Sequence, residues 1–160
     1  MSTVATAPDA PSTAQHSSVD ERQFCTFQLD NMHFGVEVLR VQEVIRYQEM
    51  TRVPTAPPVI SGLINLRGQI VTAIDLRARL NLPPLPPDRK PMNVVVRTAD
   101  GVVSLLVDEI GDVVSVNAGD FERPPETMHG IGRELISGVY KLKGHLLLIL
   151  DTDRTVDLAA

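Results

Sequence analysis

The segment that decides the fold runs from Val59 to Leu80 and reads VISGLINLRGQIVTAIDLRARL. Apolar side chains flank Arg67-Gly68 on both sides, and a glycine in a two-residue turn adopts positive φ at little steric cost. The segment therefore predicts a β-hairpin that is largely buried, with Arg67 at its tip. A charged side chain at the end of a rigid hairpin is suited to recognition. The same pattern also fits a turn that simply exposes an arginine.

The chain repeats this segment, which suggests an internal duplication. The matching pieces keep the same order, and one offset of 76 residues relates all of them. They are Ile60-Ser61-Gly62 with Ile136-Ser137-Gly138, Leu66-Arg67-Gly68 with Leu142-Lys143-Gly144, and Asp75 with Asp151. A second match, with an offset of 69 residues, relates residues 35–45 to residues 104–114.

Composition limits the class of protein. Fifteen Lys and Arg against 20 Asp and Glu give 160 residues a net charge of −5, which disfavours a general affinity for nucleic acid or anionic lipid. Because there is no Trp and only six residues are Phe or Tyr, the core must be aliphatic. The single cysteine, Cys25, excludes an intrachain disulfide, and we expect a buried, inert thiol. No apolar run suits a signal peptide or a membrane span, so we expect a cytoplasmic protein.

The chain divides into a tail and two halves. Residues 1–21 are rich in Ser, Thr, Ala and Pro, which predicts a disordered tail. A proline-rich run, Leu82–Pro91, separates the halves; it is typical of a stiff linker, and its PxxP spacing also fits an SH3 ligand. Each half carries about five strand patterns, which predicts two small β-barrels. We assign residues 22–86 to the first and residues 87–158 to the second, and the terminal strands are allowed to cross over between them.

Local patterns refine this outline. The segment Val38–Tyr47 fits both helical spacing and strand alternation, and we prefer two strands joined by one tight turn. Short helices are predicted at Leu76–Leu80, capped by Asp75, and at Asp151–Leu158. The segment Asn117–Glu134 contains two prolines and three glycines, and is predicted to be a long loop.

The sequence lacks the motifs of an enzyme. The four histidines, at positions 16, 33, 129 and 145, have no metal-ligand spacing, and there is no nucleophile elbow or phosphate-binding loop. Asp108, Glu109 and Asp112 lie close together, but no second acidic cluster accompanies them, so we interpret them as a solvated face. We expect no metal, no cofactor and no catalysis, and the protein should act through its surfaces.

These residues resemble the CheW family of bacterial chemotaxis coupling proteins. The resemblance covers residues 22–158. Its most specific part is the hairpin motif Gly62-x-x-Asn65-Leu66-Arg67-Gly68, followed by Ile74-Asp75-Leu76-Arg77. Val41-Gln42-Glu43-Val44 and Val107-Asp108 support it. Thr72 departs from the pattern, since relatives often carry proline at this position.

The resemblance implies an all-β fold of two packed, five-stranded SH3-like β-barrels with a few short helices. It further implies a non-catalytic adaptor that bridges the cytoplasmic tip of methyl-accepting chemoreceptors to the regulatory domain of the histidine kinase CheA, in arrays at the inner membrane. The resemblance also implies a set of partner-binding residues. Asn65, Arg67 and Gly68 form the hairpin tip, and Val36, Val38 and Val41 are walls of a groove between the barrels. Val41 and Glu43 lie where members of the family touch their partners.

Alternatives remain open within and outside this family. The closest alternative is a CheW-like module of another chemosensory pathway, such as one controlling pili or a second messenger, or an adaptor that has lost a receiver domain. A barrel that binds a small ligand in its groove belongs to a different class.

Overall fold

The computed structural model describes residues 21–126 and 131–157. Most of these residues belong to strands, and the helices are short. The elements are β1 (Glu21–Leu29), β2 (Met32–Glu37), β3 (Val41–Ile45), β4 (Ile60–Leu66), β5 (Gln69–Asp75), α1 (Leu76–Arg79), β6 (Met92–Thr98), β7 (Gly101–Val107), β8 (Glu109–Asn117), α2 (Ile131–Leu135), β9 (Ile136–Leu142), β10 (His145–Leu150) and α3 (Thr152–Val156). The predicted disordered tail lies outside the described residues except for Glu21, which begins β1.

The strands form two five-stranded sheets. One has the order β8-β1-β2-β10-β9 and is called here the terminal barrel; the other has the order β3-β6-β7-β5-β4 and is called the central barrel. The central barrel is continuous in sequence, whereas the terminal barrel combines strands from both ends of the described chain. The predicted division after residue 86 therefore does not separate the two sheets, because β1 and β2 join β8 to β10, and β6 and β7 join β3 to β5.

The same kind of contact closes each sheet into a barrel. In the central barrel, Thr51 and Leu63 exchange backbone hydrogen bonds of 2.9 and 2.8 Å. In the terminal barrel, Glu122 and Val139 do the same, also at 2.9 and 2.8 Å. In both cases a segment that follows one edge strand pairs with the strand at the opposite edge. These two bridges are called the seams below.

The repeated Ile-Ser-Gly motif lies at the seams. Opposite β5, Ile60 and Gly62 pair with consecutive residues, which leaves Ser61 as the extra residue of a β-bulge; Ser137 is the extra residue opposite β10. The glycine that follows each bulge allows the seam segment to approach closely. A Cβ on Gly62 would lie 2.7 Å from the Thr51 carbonyl oxygen, and one on Gly138 would overlap the Phe121 ring.

The topology supports the predicted duplication and adds an exchange of strands. The two sheet orders superimpose when β1 and β2 are matched with β6 and β7, β3 with β8, and β4 and β5 with β9 and β10. Each barrel thus takes two strands from one repeat and three from the other. The chain crosses between barrels at the 3₁₀ turn Val38–Arg40 and again at Asp108, and these two crossings occupy equivalent positions in the repeats.

The largest apolar cluster is shared by the two barrels. Phe27, Phe34 and Val36 from the terminal barrel pack with Val94 and Leu105, among others, from the central barrel. Smaller clusters lie within each barrel, around Val71 in the central one and around Phe24 in the terminal one. Burial of aliphatic and aromatic surface is the main stabilising contribution, so the barrels stabilise each other.

A buried ion pair lies where the barrels meet. Arg77 of α1 donates from Nε and Nη2 to the two carboxylate oxygens of Asp108, at 2.8 and 2.6 Å, and from Nη1 to the Pro83 carbonyl. The Asp30 backbone N–H donates to Asp108 at 2.8 Å. Burial alone would raise the pKa of Asp108, but these hydrogen bonds hold the pKa below its usual range. The prediction of a solvated face was wrong for Asp108, because its partner comes from a distant element.

The local predictions mostly agree with the structure. Val38–Tyr47 contains a 3₁₀ turn followed by β3, as the two-strand interpretation required. Asp75 caps α1 through a hydrogen bond from the Ala78 N–H, and Asp151 caps α3 in the same way through the Arg154 N–H. The predicted loop Asn117–Glu134 is wrong in part, since it holds a 3₁₀ turn, a seam residue and most of α2.

Candidate partner-binding surface

The tip of the β4–β5 hairpin has a fixed geometry. Arg67 and Gly68 have φ values of 53° and 88°, and positive φ at both central positions defines the type I′ turn that suits a two-residue hairpin. The Asn65 Oδ1 accepts a hydrogen bond of 2.9 Å from the Gly68 N–H. Asn65 and Gly68 thus shape the turn, and the Arg67 side chain, 76% exposed, extends from it.

Arg67 connects the hairpin tip to β3. Its Nη1 and Nη2 donate to the two carboxylate oxygens of Glu43, each at 2.8 Å. Since β3 and β4 are the opposite edges of the central sheet, this two-point ion pair spans the edges at one end of the barrel. The hydrogen bond from Arg67 is the main reason that the pKa of the Glu43 carboxyl lies below its usual range. The pair is therefore ionised at neutral pH and fixes the direction of the guanidinium.

The remaining predicted residues differ in accessibility. Val38 lies in the 3₁₀ turn and is half-buried, and Val41 at the start of β3 is half-buried against the shared core. Val36 is fully buried at 0% exposure within that core. Its prediction as a groove wall was wrong, because its side chain faces the partner barrel and leaves no surface for another molecule.

Three exposed apolar side chains near these positions were not predicted. Leu39 in the 3₁₀ turn is 87% exposed, Ile70 on β5 is 61% exposed, and Val44 on β3 is also exposed. Ile70 pairs across the hairpin with Asn65, and its predicted burial was wrong. We define the hairpin-tip surface as the exposed or half-buried residues of the 3₁₀ turn, β3 and the hairpin: Val38, Leu39, Val41, Glu43, Val44, Asn65, Arg67, Gly68 and Ile70.

The fold brings two histidines together that sequence spacing had kept apart. Parallel pairing of β2 with β10 stacks the His33 and His145 rings with centroids 3.9 Å apart. Partial burial, followed by the neighbouring His145, lowers the pKa of His33. Sequence spacing gave no sign of this surface pair, because the contact depends on the pairing of β2 with β10.

The sequence also made predictions about metal ligands, the single thiol and membrane-spanning segments. In the described part of the chain, no group of three or more His, Cys, Asp or Glu is arranged to hold a metal ion. Cys25 is a half-buried free thiol, and burial raises its pKa, so it is less enclosed than predicted. Within residues 21–126 and 131–157, no helix has the length and apolar character to cross a bilayer.

Two packed, five-stranded SH3-like barrels built by duplication define the class of this protein. Within that class, the family model described as the CheW-like domain matches residues 23–160. The chain is 33% identical over 131 residues to a chemotaxis protein CheW of Bacillus subtilis, covering 82% of this chain and 84% of that protein. It is 32% identical over 133 residues to the CheW of Klebsiella aerogenes, covering 83% and 80%.

The chain therefore belongs to the CheW-like family. Its fold is similar to the crystal structure of the scaffolding protein TtCheW from Thermoanaerobacter tengcongensis, with a TM-score of 0.78. That likeness covers 86% of this chain and 93% of the other at 24% identity. It bears on the fold alone and agrees with the double-barrel architecture.

Proposed function

We propose that this protein is a non-catalytic adaptor that couples transmembrane chemoreceptors to the histidine kinase CheA in chemotaxis signalling. The observation that carries the proposal is the family match over residues 23–160, joined by curated relatives named as chemotaxis proteins. The adaptor bridges the cytoplasmic tip of a receptor to the regulatory domain of the kinase. It is recruited from the cytoplasm to receptor arrays at the inner membrane.

The hairpin-tip surface is the proposed contact region. Exposed Leu39 and Ile70 supply apolar area, and Arg67 supplies a guanidinium whose direction Glu43 fixes. Arginine and buried apolar anchors are typical of interface hot spots. Asn65 and Gly68 contribute by fixing the turn, while Val38 and Val41 form the half-buried base of the surface.

Coupling follows from binding two partners at once. A rigid body with two related barrels offers two sets of similar surfaces, and heterologous contacts between such surfaces close into rings. A receptor in one conformation then favours one geometry of the kinase, because the contacts differ in free energy between the two states. No bond is made or broken in this mechanism.

Arg67→Glu tests the proposal. The Arg67 side chain is exposed, so the variant should stay folded while losing about 2 kcal/mol, or about thirtyfold, in affinity for at least one partner. Isothermal titration with the kinase regulatory domain and with a receptor tip measures this loss. Lys143→Glu is the matched control, since Lys143 is the repeat equivalent at the other hairpin tip and should leave unchanged the affinity for the partner that Arg67→Glu weakens.

Two further variants separate direct contact from positioning. Exchanging the charges, Arg67→Glu with Glu43→Arg, restores an ion pair but moves the guanidinium; binding should stay weak if Arg67 touches the partner. Leu39→Ser removes exposed apolar area without disturbing the core, and should also weaken binding. If all these variants bind both partners as the unchanged protein does, the hairpin-tip surface is not the interface.

A further inference from the structure

The terminal barrel carries an open cleft with an aromatic floor. Phe24, Phe121 and Tyr140 pack together, with ring centroids 5.5 Å apart for Phe24 and Tyr140 and 5.4 Å apart for Phe121 and Tyr140. Phe24 and Tyr140 are buried, but Phe121 is 43% exposed. The three rings line a cavity of about 200 Å³. Half of the chain's six aromatic residues thus lie together here, and Phe121 presents its ring to solvent.

A second cavity of about 250 Å³ adjoins the first and shares Glu37, Ser137 and Ile149 with it. We call the two together the aromatic cleft. The carboxylates in its lining are Glu37, Asp151 and Asp153, and the guanidiniums are Arg22 and Arg40. Each carboxylate is paired with an arginine, Glu37 with Arg22 at 3.6 Å, Asp153 with Arg40 at 3.3 Å and Asp151 with Arg154 at 3.8 Å, so the charges of the rim are balanced.

The central barrel has an equivalent cleft, built from repeat-related positions. Four of its lining residues, Ser61, Asp75, Arg77 and Leu106, correspond to four in the aromatic cleft, Ser137, Asp151, Asp153 and Glu37. Met50, which precedes the seam residue Thr51, corresponds to Phe121, which precedes the seam residue Glu122. The same place on each barrel is therefore hollow.

In the central barrel, the chain's own proline-rich run covers this place. Residues 82–91 are called here the strap, and Pro84 to Pro87 with Pro91 form one wall of the cleft. Arg77 holds the strap by donating to the Pro83 carbonyl, and Arg89 pairs with Glu109 at 3.4 Å. Lys90 lies with its Nζ 4.6 Å from the centre of the Tyr47 ring. A proline-rich segment with a turn between Pro86 and Arg89 thus borders this site in one barrel.

Among the described residues, no proline-rich segment lies on the aromatic cleft, and its lining includes none of the strap. Proline-rich segments are already extended before binding, so they dock on aromatic surfaces at low entropic cost. We propose that the aromatic cleft binds a proline-rich segment of a partner protein, in the position that the strap takes on the central barrel. The exposed Phe121 ring suits this role, since it offers proline a flatter contact than its equivalent Met50 does.

The strap itself provides the probe. A synthetic peptide of residues 82–91, LPPLPPDRKP, is titrated into the full chain and followed by amide chemical shifts. We expect saturable shifts around Phe121, Tyr140 and Glu37. Phe121→Ala should weaken binding at least tenfold while the fold is kept. A peptide with serine in place of every proline should not bind.

A matched control is Leu146→Ala, because Leu146 is an exposed apolar residue of the same barrel outside the cleft lining, and it should bind the peptide normally. Several results overturn the proposal. These are no shifts at millimolar peptide, equal binding by folded Phe121→Ala, or shifts around Tyr47 and Met50 instead. Dimerisation lost in Phe121→Ala would assign the cleft to a second copy, and tighter peptide binding after removal of residues 1–20 would assign it to the chain's own tail. The assay contains neither kinase nor receptor, so it is independent of the proposed coupling.

Discussion

The ion pair between Arg77 and Asp108 is buried, since the two side chains are 10% and 5% exposed. Removing one member of such a pair leaves a buried charge without compensation. We therefore expect Arg77→Met to cost about 3–5 kcal/mol of unfolding free energy. Urea unfolding measures this loss. Arg89→Met is the matched control, because its pair with Glu109 is exposed, and it should cost less than about 1 kcal/mol.

The same ion pair predicts how the free energy of unfolding falls at acid pH, which is called here the acid limb. The folded-state pKa of Asp108 lies below its value in the unfolded chain, so its contribution is fully present above the unfolded pKa and is lost as pH falls through the folded pKa. Double replacement, Arg77→Met with Asp108→Leu, should recover much of the single-variant loss and flatten this limb. A double variant as unstable as Arg77→Met alone would contradict the account.

His33 gives stability a separate dependence on pH. Its pKa is lowered in the folded state, so the unfolded chain binds a proton first as pH falls from about 6.5. Stability should therefore be highest above that pH and should drop by less than about 1 kcal/mol below it, because the ring is only partly buried and solvent screens its charge. His33→Gln should remove this drop in unfolding curves recorded between pH 7 and pH 5. An unchanged pH profile would refute the assignment to the stacked pair.

Strands β4 and β9 carry the same Ile-Ser-Gly motif at the two seams, but we expect them to tolerate substitution of its glycine to different degrees. A methyl group on Gly62 would meet the Thr51 backbone, which cannot move without opening the seam, whereas on Gly138 it would meet the partly exposed Phe121 ring. Gly62→Ala should therefore cost about 1–3 kcal/mol, as overpacking does. Gly138→Ala should cost less, and Gly119→Ala, which has only ordinary contacts, should change stability by about 0.5 kcal/mol or less. Thermal unfolding ranks the three, and an equal effect for all would exclude a role for the seams.

Elements whose signals are local were predictable from sequence. The β4–β5 hairpin follows from apolar flanks and Arg67-Gly68, and α1 follows from the Asp75 cap, since both depend on neighbours within a few residues. Asp108 was misjudged because Arg77 lies 31 residues away. Similarly, the His33–His145 stack depends on the parallel pairing of β2 with β10, which no spacing rule indicates.

The candidate surface was predictable only in part for a related reason. Arg67 was found because a charge at a hairpin tip is conspicuous in the sequence. Val36 and Leu39 are both aliphatic and lie three residues apart, yet one is fully buried and the other is 87% exposed. That difference arises because Val36 packs in the core shared by the barrels, whereas Leu39 lies in the turn at Val38–Arg40 where the chain crosses between them. Local hydrophobicity carries no information about such a crossing.

At the scale of the whole molecule, the exchange of strands predicts that the two sequence halves cannot dissociate while the protein is folded. A protease site inserted at Asp88, an exposed position of the strap, should allow cutting into residues 1–88 and 89–160. Each barrel holds strands from both pieces, so the cut protein should elute at the intact mass by native size exclusion and separate only in denaturant. The inserted but uncut protein is the control. Two folded halves eluting separately would contradict the topology.

The crossings at Val38–Arg40 and Asp108 also bear on how such a fold arose. A chain with a single repeat, keeping these crossings, would have to lend its first two strands to a sister molecule and borrow the sister's in return, as a domain-swapped homodimer does. Fusion of two copies through the strap turns that pairing into an intramolecular event. Assembly of the double barrel then no longer depends on protein concentration.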